Sequence, residues 1–146
     1  MKISIGSDHG GFNLKEKIKA NFNKEYEFID RGTYSLDSCD YPIFAKAVGE
    51  DVRDKNADFG IVICTNGVGV TIVANKVKGV RCALCLNNSM AEHAKLHNDA
   101  NVIALGAMNQ SDEEAFEMVK LFIETPFSFE ERHARRVNEI KDMEEK

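Results

Sequence analysis

Five short apolar runs alternate along this chain with segments of helical periodicity, and this alternation constrains the fold more than any other feature. The runs lack a clean apolar–polar alternation, which is typical of strands buried on both faces of a parallel sheet. The predicted strands are residues 2–6, 26–30, 60–64, 81–86 and 102–106. The predicted helices are residues 12–22, 41–52, 68–77, 89–96, 112–123 and a C-terminal helix over 129–146.

This order of elements predicts an α/β fold, a three-layer, Rossmann-like domain with a doubly wound five-stranded parallel sheet and a C-terminal helix. Right-handed crossovers between parallel strands place helices on both faces of such a sheet. The 146 residues suffice for a full core, so residues 1–146 are expected to form a single domain. Ligands of these folds bind at the carboxyl ends of the strands. The C-terminal helix either packs across a partner subunit or covers the edge of its own domain.

Composition and charge narrow the class of ligand. The chain is 43% hydrophobic and 29% charged, and its net charge of −5 argues against nucleic acid or an anionic membrane as partner. We see no signal peptide and no apolar run of about 20 residues. Four cysteines are too few for a disulfide framework, so we expect a cytoplasmic protein with a small-molecule ligand. Cys82 and Cys85 form a C-x-x-C motif inside a predicted strand, which indicates core thiols rather than a redox pair.

The turn after the third predicted strand carries the clearest chemical signal. It reads Cys64-Thr65-Asn66-Gly67-Val68-Gly69-Val70-Thr71 and opens a helix. The first N–H groups of a helix lack intrahelical partners and carry positive potential, so they can hold a phosphate or an enediolate oxygen. The same potential favours Cys64 as a thiolate. Gly67-Val68-Gly69 alone is weak evidence, and Ile72 stands where a dinucleotide fingerprint needs glycine.

Asp8-His9-Gly10-Gly11 follows the first predicted strand directly. The two glycines allow a ligand to approach the backbone closely. A carboxylate beside an imidazole can orient a sugar hydroxyl and move its proton. In the alternative interpretation, Asp8 only caps the helix that follows.

Two further basic clusters lie outside these turns. His97-Asn98-Asp99 follows a predicted helix, where a histidine is either a partner of the helix dipole or a proton carrier. His93 precedes His97 by four residues, but a metal site would need a third ligand that the surroundings do not supply, so we expect no metal. Arg132, His133 and Arg136 can grip one phosphate from one helical face, or form a solvated basic face offset by nearby glutamates at positions 130, 131 and 139.

Taken together, these motifs make the chain resemble the ribose-5-phosphate isomerase B family, which also includes galactose-6-phosphate and allose-6-phosphate isomerases. The resemblance runs from Lys2 to about Ile140. The motifs that carry it are Gly6-Ser7-Asp8-His9-Gly10-Gly11-Phe12, Asp40-Tyr41-Pro42, Ile63-Cys64 with Gly67-Val68-Gly69, the stretch 74–81, His97-Asn98-Asp99-Ala100-Asn101-Val102, Ala104-Leu105-Gly106, and Arg132-His133 with Arg136-Val137.

The resemblance implies an aldose–ketose isomerase that uses neither metal nor cofactor and works through a cis-enediolate. It implies a homodimer with active sites shared between subunits, and a tetramer stays open. Cys64 is then the base that carries a proton between C2 and C1, while Asp8 and His97 open the sugar ring, with His97 coming from the partner subunit. The remaining implied site residues are Asn66 in catalysis, the N–H groups of Gly67, Val68, Gly69, Val70 and Thr71 toward the enediolate, Tyr41, Thr65 and Asn98 along the sugar, and His9, Arg132, His133 and Arg136 around the phosphate.

Three departures from the family pattern bear on the substrate. Thr65-Asn66 replaces the usual Gly-Thr, Met108 replaces an arginine that commonly helps to bind phosphate, and the usual Gly-Gly before Arg132 is missing. Interconversion of ribose 5-phosphate and ribulose 5-phosphate is the leading hypothesis. An isomerase of a hexose 6-phosphate or another sugar stays open, as does a non-catalytic domain that binds a sugar phosphate.

Overall fold

The computed structural model describes residues 1–144, and within them the chain forms five strands, six α-helices and one short 3-10 turn over His9–Gly11. The strands are β1 (Lys2–Ser7), β2 (Glu27–Asp30), β3 (Phe59–Cys64), β4 (Cys82–Leu84) and β5 (Val102–Gly106). The helices are α1 (Phe12–Phe22), α2 (Pro42–Arg53), α3 (Val68–Asn75), α4 (Asn88–Leu96), α5 (Asp112–Glu124) and α6 (Glu131–Glu144).

All strand pairs are parallel, and the strand order is β2-β1-β3-β5-β4. Ile5 pairs with Ile61 and Ile61 pairs with Ile103, so the three central strands are in register at fully buried positions. One core cluster joins the sheet to α1, α4 and α5, and a second joins its other face to α2 and α3. The predicted three-layer, Rossmann-like α/β fold is therefore confirmed.

Some predicted boundaries are wrong by a few residues. The fourth strand spans Cys82–Leu84 rather than 81–86, because this edge strand pairs only with β5. The third helix ends at Asn75, whose side chain bonds both the N–H and the C=O of Cys82 at 2.8 and 2.9 Å. Phe129 has a φ of +58°, which no α-helical residue adopts, so the last helix begins at Glu131. Residues 145–146 of that predicted helix lie outside the described residues.

Helix α6 packs on its own chain. The N–H of Ser128, just before it, donates to the carbonyl of Leu96 at 3.0 Å, and Val137 is buried. Near its other end, the carboxylate of Glu144 accepts the N–H of Gly79 at 2.6 Å. These contacts agree with the interpretation in which the helix covers the edge of its own domain.

Of the C-x-x-C cysteines, Cys82 lies in β4, whereas Cys85 directly follows this strand in the short segment that leads to α4. Burial raises the pKa of both Cys82 and Cys85 to about 12, so neither forms a thiolate at neutral pH. This is the behaviour expected of inert core thiols. Within residues 1–144, no helix combines the length and the apolar character that a membrane crossing requires.

Candidate active site

Cys64 is the last residue of β3, at the carboxyl edge of the sheet, and it is only 6% exposed. The N–H of Gly67 donates a hydrogen bond to its sulfur at 3.2 Å. Gly67 can turn back in this way because it is in the left-handed conformation, with φ at +85°. Helix α3 begins at the next residue, so the sulfur faces both an amide donor and the positive end of a helix dipole. Both features place positive partial charge beside the sulfur.

Of the five backbone N–H groups of residues 67–71 that were expected to hold the enediolate, two are without a hydrogen-bond partner among residues 1–144. The N–H of Val68 is capped by Oδ1 of Asn66 at 3.2 Å, and the N–H and hydroxyl of Thr71 both donate to the carbonyl of Gly67. The N–H groups of Gly69 and Val70 have no partner within residues 1–144. In the structure, capping and turn formation use the other three amides.

Side chains from two loops, after β2 and after β3, form the walls around these donors. A Cβ placed on Gly69 would lie 2.5 Å from Cζ of Tyr41, so the tyrosine ring lies directly over this glycine. The hydroxyl of Thr65 similarly fills the space beside Gly10, which joins the loops after β1 and β3. The structure thus brings Tyr41 and Thr65 to the same edge of the sheet as Cys64.

Asp8 caps the turn that follows β1, since its Oδ1 accepts the N–H of Gly11 at 3.1 Å. Capping by Asp8, one of the two roles expected from the sequence, is therefore present. It uses only one carboxylate oxygen, and Oδ2 has no hydrogen-bond partner within residues 1–144. Asp8 thus combines a fixed orientation with an oxygen that is free to accept a hydrogen bond.

His9 is oriented by a residue that the sequence did not reveal. The backbone N–H of Cys39 donates to its Nδ1 at 3.2 Å. Because Nδ1 accepts, the neutral ring carries its proton on Nε2, where it can donate to an anion. Cys39 lies thirty positions from His9, and the only nearby signal is the Asp40-Tyr41-Pro42 motif that follows it.

A second cluster forms where α4 ends and α6 begins. The ring of His97 lies between those of His93 and His133, with centroid distances of 4.7 and 4.2 Å. His133 is buried, and its Nδ1 lies 2.7 Å from the hydroxyl of Ser128. Burial lowers the pKa of His133, and the neighbouring His97 and Arg132 lower it further. The buried ring therefore tends to be neutral.

The two arginines of this cluster face solvent. Arg132 is 58% exposed and pairs with Glu130 at 3.1 Å, while Arg136 is exposed on the same helix, and Asn98 is exposed beside His97. Surface ion pairs of this kind contribute little to stability. Both interpretations of this basic face, a solvated surface and a phosphate grip, fit its position. No group of three or more potential metal ligands comes together within the described part of the chain.

The groups around Cys64 lie at the carboxyl ends of the strands, whereas the groups around His97 lie at their amino ends. Cys64 ends β3, whereas the loop that carries His97 leads into the start of β5, where Asn101 accepts the N–H of Gly60 near the start of β3. The four residue-to-residue steps from Gly60 to Cys64 span about 13 Å. A single chain therefore does not bring Asp8 and His97 together. Any site that uses both must take them from two copies.

A family model described as Ribose/Galactose Isomerase matches residues 3–140. The chain belongs to the ribose/galactose isomerase family. Ribose-5-phosphate isomerase B of Escherichia coli strain K12 is 38% identical over 146 residues, which cover 99% of this chain and 97% of that protein. The protein is accordingly an isomerase, as the resemblance predicted.

Solved structures of the family agree with this assignment. Ribose-5-phosphate isomerase B of Clostridium thermocellum superposes with a TM-score of 0.96 at 46% identity, covering 99% of this chain and 98% of that one. The Mycoplasma genitalium enzyme, solved with bound ribulose-5-phosphate, gives a TM-score of 0.93 at 38% identity, with coverage of 99% and 97%.

Proposed function

We propose that this isomerase interconverts ribose 5-phosphate and ribulose 5-phosphate through a cis-enediolate, with Cys64 as the base. The observation that carries the proposal is the sulfur of Cys64, held by the Gly67 amide beside the unpaired N–H groups of Gly69 and Val70. Removing a proton next to a carbonyl needs a base and donors for the oxygen that becomes negative, and this arrangement supplies both. The relatives named above support the choice of a pentose phosphate.

The proposed reaction begins with ring opening. Asp8 and His97 of a second copy take the proton from the anomeric hydroxyl and return one to the ring oxygen, which breaks the ring C–O bond. The thiolate of Cys64 then removes the proton from C2 while the N–H groups of Gly69 and Val70 stabilise the charge on O1. A proton passes from O2 to O1, and the thiol returns its proton to C1. The Nδ2 of Asn66, unpaired within residues 1–144, is a further donor for the enediolate.

The phosphate is proposed to bind between His9 of one copy and the basic cluster of the other. His9 offers Nε2–H, and Arg132 and Arg136 are exposed at positions where they can form charge-assisted hydrogen bonds. His133 lies between them on the same helix. Met108 is 72% exposed and adds no charge, so the second copy must supply most of the positive potential.

A homodimer with shared sites follows from the separation of the two clusters. Exposed apolar side chains support this assembly, since they surround the carboxyl edge where the second copy must dock. They are Ile43, Val68, Ile72, Leu86 and Met90. We further propose that residues 1–146 are a single catalytic domain acting in the cytoplasm, because all four cysteines are free, as a reducing compartment requires.

The experiment that tests this function offers the purified protein ribose 5-phosphate, allose 6-phosphate and galactose 6-phosphate separately, in heavy water. We expect turnover of ribose 5-phosphate and deuterium at C1 of the ribulose 5-phosphate formed. Preference for a six-carbon substrate, which Asn66 and Met108 leave open, would reassign the substrate. Binding without deuterium incorporation would instead indicate a non-catalytic sugar-phosphate-binding domain.

A further inference from the structure

Arg81 lies at the amino end of β4, directly before the strand, and hydrogen bonds hold its backbone in place. Its backbone N–H donates to Oδ1 of Asn101 at 2.8 Å, and its carbonyl accepts the N–H of Asn101 at 3.0 Å. Nδ2 of Asn101 also donates to the carbonyl of Gly79 at 2.8 Å. Asn101 thus ties the approach to β4 to the approach to β5, and the side chain of Arg81 starts from a rigid base.

The guanidinium of Arg81 binds the turn that follows His97. Nη2 and Nε donate to the carbonyl of Asp99 at 2.7 and 3.1 Å, and Nε also lies 3.3 Å from the carbonyl of Asn98. Nη2 is 3.4 Å from the carboxylate of Asp99, and the Arg81 side chain is only 14% exposed. One planar cation therefore holds two successive carbonyls at the negative end of α4.

The turn that Arg81 holds has an unusual backbone. Asp99 adopts a φ of +47°, a conformation that costs free energy for a residue with a side chain. Its N–H donates to the carbonyl of Lys95 at 3.2 Å, so this turn ends the helix at Leu96 and leaves His97 as the C-cap. Contacts with the guanidinium compensate for the backbone cost and fix the direction in which His97 and Asn98 leave the helix.

We propose that Arg81 is a positioning residue for His97, and thereby for ring opening in the site of the second copy. The inference rests on the proposed function and deepens it. Arg81 touches neither substrate nor the reacting atoms. It sets the turn that presents His97, and a displacement of about 1 Å at such a group can cost up to about 10²-fold in rate. The two carbonyls need a bidentate planar donor, which lysine does not provide.

The chemistry of the two sugars separates this role from general stabilisation. Ribulose 5-phosphate has its O5 phosphorylated and no hydroxyl placed to close a five-membered ring, so it enters the site already open. Exchange of its C1 proton with solvent needs Cys64 and the oxyanion donors but no ring opening. Conversion of cyclic ribose 5-phosphate needs this base and these donors, and it also needs ring opening. A defect confined to His97 therefore reduces the second reaction and spares the first.

The test compares R81M and R81K with K78M, which removes an exposed cation from the same segment. For R81M we expect kcat/KM on ribose 5-phosphate to fall by about tenfold or more, within the range that misplacement causes. Deuterium uptake at C1 of ribulose 5-phosphate should stay within about twofold of the unmodified protein. The kcat/KM of R81K on ribose 5-phosphate should lie between those of R81M and the unmodified protein. K78M should match the unmodified protein in both reactions. Equal losses in both reactions, or no loss in either, would overturn the inference.

The NMR signals of the His97 ring give a readout that does not depend on activity. They should shift in R81M and stay in place in K78M. If the unmodified protein neither isomerises nor exchanges, the proposed function fails, and the His97 signals alone decide whether Arg81 positions this residue. Unchanged signals in R81M would refute it. Should R81M not fold, the same comparison is made with R81K.

Discussion

The backbone amide of Gly67 donates a hydrogen bond to the sulfur of Cys64 across 3.2 Å. The contact joins the end of a buried strand to the residue that precedes helix α3, and it forms without any ligand. Because the donor is backbone and Cys64 is almost fully buried, the sulfur has little freedom to move. The base of the proposed reaction is thus in place before substrate arrives, which reduces the reorganisation required during catalysis.

The first prediction concerns the base itself. In C64A, isomerisation should fall by about 10²–10⁴-fold, the usual contribution of a positioned proton-transfer group. Deuterium exchange at C1 of ribulose 5-phosphate should fall with it, since both reactions need the same base. The matched control is C85A, which removes a buried thiol from the opposite core cluster and should keep its activity. Near-normal turnover by C64A would assign the proton transfer to another group.

The second prediction concerns the shared site. C64A and H97A should each be inactive alone, yet regain activity when the two chains are unfolded together and refolded as a mixture. Half of the dimers are then hybrids in which one of the two sites is intact, so recovery should approach about a quarter of the unmodified activity. Refolding either variant alone is the control. Absence of recovery, with hybrid dimers demonstrated, would show that one chain supplies both residues.

The third prediction concerns Met108. Its N–H is fixed to the carbonyl of Thr65 at 3.0 Å while its side chain faces solvent, so M108R should fold normally. An added guanidinium near the phosphate should lower KM by about fivefold, or about 1 kcal/mol, with little change in kcat. The uncharged M108Q serves as the control for side-chain length. An equal KM for both variants would place the phosphate away from this position.

The fourth prediction concerns His133 and pH. Burial, His97 and Arg132 lower the pKa of His133 in the folded protein, so the unfolded chain, with a histidine pKa of about 6.5, is protonated first. The stability that the neutral ring provides is complete above about pH 6.5 and is lost as pH falls through the folded pKa. The free energy of unfolding is measured with urea at about pH 8 and about pH 5. Between these two pH values it should fall further for the unmodified protein than for H133N. Equal losses would show that another group controls this region.

Local patterns were sufficient to predict the sheet and the position of Cys64, the proposed base. The β5 boundaries were predicted correctly, and Cys64 was identified because the strand, the thiol and the helix start are consecutive in the chain. Which backbone N–H groups of residues 67–71 have internal hydrogen-bond partners was less predictable from the sequence. Asn66 was expected to act on substrate, but the additional capping of the Val68 N–H by its Oδ1 was not predicted, since it depends on side-chain rotamers rather than on residue spacing.

Contacts between distant segments were beyond the reach of sequence patterns. The N–H of Cys39 on His9, the stacking of His97 on His133 and the guanidinium of Arg81 on Asp99 each join segments separated by many residues. Only the packed fold determines which of these groups meet. The spacing of four residues predicted that His93 and His97 lie close together. It could not predict that His133, from the helix that begins at Glu131, packs against His97 as well.

In the proposed mechanism, the placement of Cys64 and His97 at opposite ends of parallel strands means that only a dimer, and not a single protomer, contains a complete active site. Specific activity should then depend on protein concentration. On progressive dilution it should collapse at the point where protomers separate, even though each remains folded.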